Sequence, residues 1–192
     1  MTAAGDGGDD HDTDGMIALL PTAEDAKRLA VGDVSVEELH LTLAYLPDVT
    51  AFTESTQSAF LAEMARWASR TPRISGEVNG AGNLGGGVAV WLVNAPGLTD
   101  RRSGLVDWME SDADEQVEMP AVSHDFDGFL PHITYASGGV TPGDPIPGVY
   151  GPVTFDRLRV SLRGKHTDVP LGSTDGISGR QTETPETRSA VA

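Results

Sequence analysis

Two segments of this chain repeat one five-residue pattern: His40-Leu41-Thr42-Leu43-Ala44 and His132-Ile133-Thr134-Tyr135-Ala136. Each reads His, aliphatic, Thr, large apolar, Ala. In a β-strand, alternate residues share a face. His40 and Thr42 therefore project together, while Leu39, Leu41 and Leu43 turn the other way into a core. The same alternation sets His132 and Thr134 against Ile133 and Tyr135. Each strand offers an imidazole and a hydroxyl side by side on a firm backbone, and two such strands side by side would build one cleft.

The rest of the chain supplies the layers that such strands need. Met16–Leu20 is a short apolar run before Pro21, and Leu39–Leu46 alternates; both read as strands. Thr22 is an N-cap candidate for a helix over Ala23–Ala30, with Asp25 three residues on. Thr53–Ser69 has apolar residues at helical spacing and stops at Thr71-Pro72, and Leu98–Glu110 is a third helix. Ile74–Val78, Gly87–Val93, Pro131–Ala136 and Phe155–Leu162 read as further strands, with Val169–Leu171 a short last one. Strands mixed with three helices indicate an α+β or α/β domain.

The ends differ in kind from the middle. Residues 1–15 hold five Asp, no Lys or Arg, and no large apolar residue after Met1, so they cannot offset their chain entropy and are expected to be disordered. His11 lies in this tail as a solvated residue. Residues 173–192 are polar and are expected to form a second disordered tail, which leaves 16–172 as one domain. No apolar run approaches the ~18 residues of a membrane span, and the N-terminus is acidic. A cytoplasmic protein, by default monomeric, is the expectation.

Charge narrows the function. Thirteen basic against 29 acidic residues give a net charge of −16. Gripping long double-stranded nucleic acid needs a basic footprint, so that mode is excluded. A small anion held by a few focused donors remains open. With no cysteine there is neither a disulfide framework nor a thiolate nucleophile.

The paired imidazoles and hydroxyls suit displacement at phosphorus. One imidazole takes the proton of the attacking oxygen and the other protonates the leaving oxygen. The Thr42 and Thr134 hydroxyls can donate to the non-bridging oxygens, where transition-state charge gathers. This chemistry calls for no cofactor and no metal, and the sequence carries no HExxH motif. At these residues the chain resembles the two-histidine phosphoesterase superfamily, in particular its 2'-5' RNA ligase-like branch. The likeness rests on Glu38 to Leu46 around the first motif and on Phe129-Leu130-Pro131-His132-Ile133-Thr134 around the second, and spans roughly Met16 to Leu171. It implies a bilobal α+β fold with a pseudo-two-fold axis. In that fold two antiparallel sheets flank a central cleft and helices lie outside. It also implies metal-independent action on 2',3'-cyclic phosphates, 2'-5' linkages or other cyclic nucleotides, including cyclic nucleotide signals. The catalytic residues would be His40, Thr42, His132 and Thr134. The substrate would be a small cyclic nucleotide or short oligonucleotide. Tyr135 departs from the family pattern, in which a smaller aliphatic residue is common. The alternatives are RNA end processing or 2'-5' ligation, and a non-catalytic nucleotide-binding module.

Other features have two readings each. Phe126 and Phe129, just before His132, could stack on a base or belong to the core. Arg157, Arg159, Arg163 and Lys165 form the densest basic stretch, which either guides an anionic substrate or is an exposed sheet face; Arg163 is the candidate substrate contact. In that strand Arg157 and Arg159 share a face with Phe155 and Ser161, and His166 follows in an exposed loop. His124-Asp125-Phe126-Asp127 reads as a polar loop rather than a metal site, and the acidic residues from Asp107 to Glu118 as a solvated helix end. The glycine-rich Gly76–Gly87 lacks the Lys-Ser/Thr of a phosphate loop and reads as a flexible hairpin turn or flap. Tyr45, at odd spacing from His40, is placed on the core side.

Overall fold

The computed structural model describes residues 13–111, 119–124, 128–137 and 149–172. The elements run β1 Gly15–Pro21, α1 Ala23–Leu29, β2 Leu41–Leu46, α2 Glu54–Arg70 and β3 Ile74–Asn83, then β4 Ala89–Asn94, α3 Leu98–Glu110, β5 His132–Ala136, β6 Gly151–Leu162 and β7 Lys165–Pro170. Thr22 caps α1 as expected, accepting from the Asp25 amide at 3.3 Å. Thr53 caps α2, accepting from the Thr56 amide at 3.2 Å. None of the described helices is long and apolar enough to cross a membrane.

The strands form one antiparallel sheet in the order β2-β1-β6-β3-β4-β5, with β7 also paired to β6. The expectation of two sheets is corrected here. Strand β6 is long enough to serve both halves: Gly151–Phe155 pairs with β3, and Phe155–Leu162 pairs with β1. The sheet also curls. Strands β2 and β5 stand at opposite ends of the ladder order and nevertheless lie against each other. That curl brings the two motif strands together. The packed face holds Leu19, Leu41, Trp91, Ile133, Phe155 and Leu158 against helix residues such as Leu29, Phe60, Met64 and Leu105.

Several boundaries differ from the sequence reading. Gly15 already pairs with Leu46, Thr13 accepts from the Val49 amide, and Asp14 accepts from the Arg163 amide, so the fold begins before Met16. The glycine-rich link is mostly strand, because β3 runs on to Asn83. Only a tight turn remains, with Gly85, Gly86 and Gly87 at φ of 93°, 60° and 86°. His166 is exposed, but within β7 rather than in a loop.

Strand alternation is broken by three bulges that matter for the site. Ile17 faces Ala44 while Ala18 faces Thr42, so Leu43 is an extra residue in β2. Ala89 faces Ala136 while Val90 faces Thr134, so Tyr135 is extra in β5. The third extra residue is Asp156, between Phe155 and Arg157. This moves Phe155 into the core and away from the face of Arg157 and Arg159, correcting the predicted alternation.

Candidate active site

His40 immediately precedes β2 and His132 opens β5. Both are half-buried, as are Thr42 and Thr134, whereas Leu39, Leu41 and Ile133 are buried. The predicted division of faces around each motif is therefore present. The two rings are held in the same way. Nδ1 of His40 lies 2.6 Å from the Glu38 carbonyl oxygen, and Nδ1 of His132 lies 2.7 Å from that of Leu130. A carbonyl only accepts, so each Nδ1 carries the proton and each Nε2 is left as the basic nitrogen. In both cases the acceptor sits two residues upstream.

The turn that presents the Glu38 carbonyl is itself tied down. Glu38 Oε2 accepts from the Ser35 hydroxyl at 2.9 Å and from its amide at 3.3 Å. Arg159 Nη1 donates to the Glu37 carbonyl at 2.8 Å. The same guanidinium forms a fork with Asp168, Nε to Oδ1 at 2.7 Å and Nη2 to Oδ2 at 2.8 Å. Asp168 is held below the usual carboxylate range, chiefly by its bond from Arg159. Burial pushes the His40 imidazole below its ordinary value of 6.5; the Glu38 carbonyl opposes this, and the charges of Arg159, His132 and His166 add to the lowering.

A cavity of about 470 Å³ opens beside the motif strands, lined by Thr42, Tyr45, Arg102, Phe129, Leu130 and His132 among others. His40 and Thr134 do not line it. His40 is nonetheless within electrostatic reach of His132. The Thr42 hydroxyl has a weak acceptor, the Met16 sulfur at 3.4 Å.

The bulges aim the flanking residues. With Leu43 inserted, Leu43 and Ala44 are both buried and Tyr45 turns out, 38% exposed, into the cavity. Tyr45 was expected in the core; the extra residue reverses its side. Each bulge also frees a carbonyl that another element satisfies. The Leu43 oxygen accepts from Arg102 Nε of α3 at 2.9 Å. The Tyr135 oxygen accepts from the Val34 amide, in the segment after α1, at 3.3 Å. The Tyr135 ring stacks on Trp91 with centroids 3.9 Å apart, so the larger residue at this motif position is absorbed by an aromatic pair.

The other candidates fall out as follows. Phe129 lines the cavity and lies beneath Arg102, whose Cζ is 5.0 Å from the ring centroid. Phe126 lies outside the described residues, as do Asp125, Asp127 and the acidic run 112–118. Arg163 is not brought to the cavity. Its Nη2 donates to the carbonyls of Val49, Thr50 and Phe52, at 2.7, 2.5 and 3.2 Å, and anchors the loop after β2. Arg157 pairs with Asp156 and Arg159 with Asp168, so these two members of the basic stretch are neutralised where they lie. His124 pairs with Glu110 at 2.5 Å. The sequence gives no sign of Arg102 at the site, since it is one of two adjacent arginines on a polar helix face, and the placement of Tyr45 is reversed by the bulge.

No family model matches the chain, and no curated protein matches it. Solved structures do. E. coli LigT in complex with 3'-AMP is 23% identical with a TM-score of 0.51, covering 83% of this chain and 95% of its own. TT0787 of Thermus thermophilus is 21% identical with a TM-score of 0.56, covering 84% of this chain and 99% of its own. A third structure, described as a phosphoesterase, is 24% identical with a TM-score of 0.50, covering 83% and 95%. The likeness at these identities is one of fold: the chain has the α+β, LigT-like fold that its two His-x-Thr strands led one to expect.

Proposed function

We propose that the protein is a metal-independent phosphoesterase that acts on 2',3'-cyclic phosphates, 2'-5' linkages or other cyclic nucleotides. His40 and His132 divide acid–base work at one phosphorus, and Thr42 and Thr134 hold its non-bridging oxygens. The observation that carries this reading is the matched pair of Nδ1–carbonyl clamps on two strands that the curl of the sheet sets side by side. One clamped imidazole is an ordinary structural feature. Two with the same tautomer are an acid–base pair in waiting.

On a nucleoside 2',3'-cyclic phosphate the steps balance simply. Nε2 of His40, kept neutral by burial, takes a proton from water as its oxygen bonds to phosphorus. His132, protonated on Nε2, gives that proton to the departing ribose oxygen, and a nucleoside monophosphate results. Thr42 and Thr134 donate to the charge that builds on the other oxygens. Ligation to a 2'-5' linkage would run through the same kind of transition state, with the 5'-oxygen of a second nucleotide in place of water and the ribose 3'-oxygen departing with the proton. The cavity has the volume and lining for a base with its sugar.

The test is turnover of a panel of 2',3'-cyclic mononucleotides, 2'-5'-linked dimers and cyclic dinucleotides, read by mass. Wild type should convert at least one. His40→Ala and His132→Ala should each lower kcat by about 10²–10⁴-fold without loss of fold. Turnover that survives both substitutions within a few-fold, or no turnover across the panel, overturns the reading.

A further inference from the structure

We propose that Arg102 contacts substrate in this cleft, its guanidinium clasping the phosphate oxygens of a nucleotide whose base occupies the adjoining apolar cavity. The inference rests on the phosphoesterase reading and adds a residue to it. Arg102 reaches from α3 into the cavity that Thr42 and His132 also line. One of its nitrogens is spoken for: Nε donates to the carbonyl of Leu43, the residue after Thr42. One face is spoken for as well, lying over Phe129. Among the described residues, neither Nη1 nor Nη2 has a hydrogen-bond partner, and no carboxylate pairs with this side chain.

Two arginines of β6 differ from it. Arg159 is committed to Asp168 and the Glu37 carbonyl, and Arg157 to Asp156 and the Pro21 carbonyl. In a chain of net charge −16, Arg102 brings a guanidinium with no carboxylate partner among the described residues into a largely apolar cavity. Its two remaining donors form the planar fork that matches two oxygens of one phosphate. The bond to Leu43 and the stack on Phe129 hold that fork still, so little side-chain entropy is lost when it closes on an anion. The low polarity around it strengthens the attraction.

A structural tie between β2 and the 128–130 segment is the rival explanation, and binding measurements separate the two. Adenosine 3'-monophosphate and adenosine are titrated by calorimetry into wild type, Arg102→Met and Arg102→Lys, with melting temperature followed in parallel. Arg102→Met should weaken the monophosphate about 10–100-fold. Adenosine should bind within about 2-fold of wild type, and Arg102→Lys should recover part of the loss. Equal affinities of Arg102→Met and wild type for the monophosphate overturn the proposal. So does parallel loss of both ligands, which marks a purely structural role, and so does wild type failing to prefer the monophosphate. Because the readout is binding, it is decided separately from the turnover tests on His40 and His132.

Discussion

At the scale of single residues, the two histidines share a clamp but not an environment. Burial is the largest influence on His40 and disfavours its charged form, and the charges of Arg159 on β6, His132 on β5 and His166 on β7 act in the same direction. The Glu38 carbonyl pulls the other way by stabilising a proton on Nδ1. The balance keeps His40 neutral in the region where it must accept a proton. Arg159→Gln removes one of those charges and should move the His40 titration upward, toward 6.5. The imidazole Cε1–H resonance followed against pH in that variant and in wild type measures this directly. A downward move, or none, would show that the guanidinium does not act on His40 electrostatically. If the reading of His40 as the starting base holds, the acidic limb of the rate profile should shift with it.

At the scale of elements, each motif strand carries an extra residue at the same place, Leu43 after Thr42 and Tyr135 after Thr134. The helices cross over to serve them: α3 lies between β4 and β5 in the chain but supplies Arg102 to the bulge of β2, and the segment after α1 supplies Val34 to the bulge of β5. That second contact is close. A Cβ on Gly32 would lie 2.1 Å from the Tyr135 carbonyl oxygen and 2.9 Å from the Ala136 Cβ, atoms of strand β5 that have no flexible end to swing aside. Gly32→Ala should therefore cost about 1–3 kcal/mol, as overpacking does, and lower turnover by shifting β5 beneath Thr134. An unchanged denaturation midpoint would mean that this segment is not pressed onto the bulge. The bulges also mark where sequence stopped being informative. His40, Thr42, His132 and Thr134 were legible because strict alternation holds from Leu39 to Thr42 and from His132 to Thr134. One inserted residue then reverses the sides, with no compositional signature, and so Tyr45 and Phe155 were placed on the wrong faces. Arg163 looked like a substrate contact because a charge count cannot see the three carbonyls that it holds. The continuity of the sheet is hidden for a related reason: whether β6 joins both halves depends on its length, and its first four residues, Gly151 to Thr154, fall outside the strand that alternation suggests over Phe155–Leu162.

At the scale of the whole molecule, acidity and stability are linked through the same groups. The folded-state value of His40 lies below 6.5, so the unfolded chain binds that proton first. Its contribution is intact above the unfolded value and is lost as pH falls from about 6.5 toward the folded value. Asp25 and Asp168 are also lowered from 3.8. Burial opposes the shift at Asp25, but bonds from Arg28, the Thr154 amide and Thr22 outweigh it; at Asp168 the bond from Arg159 leads. Their contributions persist to lower pH and are lost as pH falls through 3.8 and below. Repulsion among the surplus carboxylates of a −16 chain has the opposite sign, since protonation relieves it. Repulsion between exposed charges is screened by salt, whereas the local terms at half-buried groups are screened much less. Urea unfolding across pH 8 to 3 at high ionic strength should therefore show two separate losses of stability on acidification, the first below about 6.5 and the second below about 3.8. His40→Gln should remove the first and leave the second. If the first loss persists in that variant, another group titrates there and the desolvated state of His40 is not what couples this fold to pH.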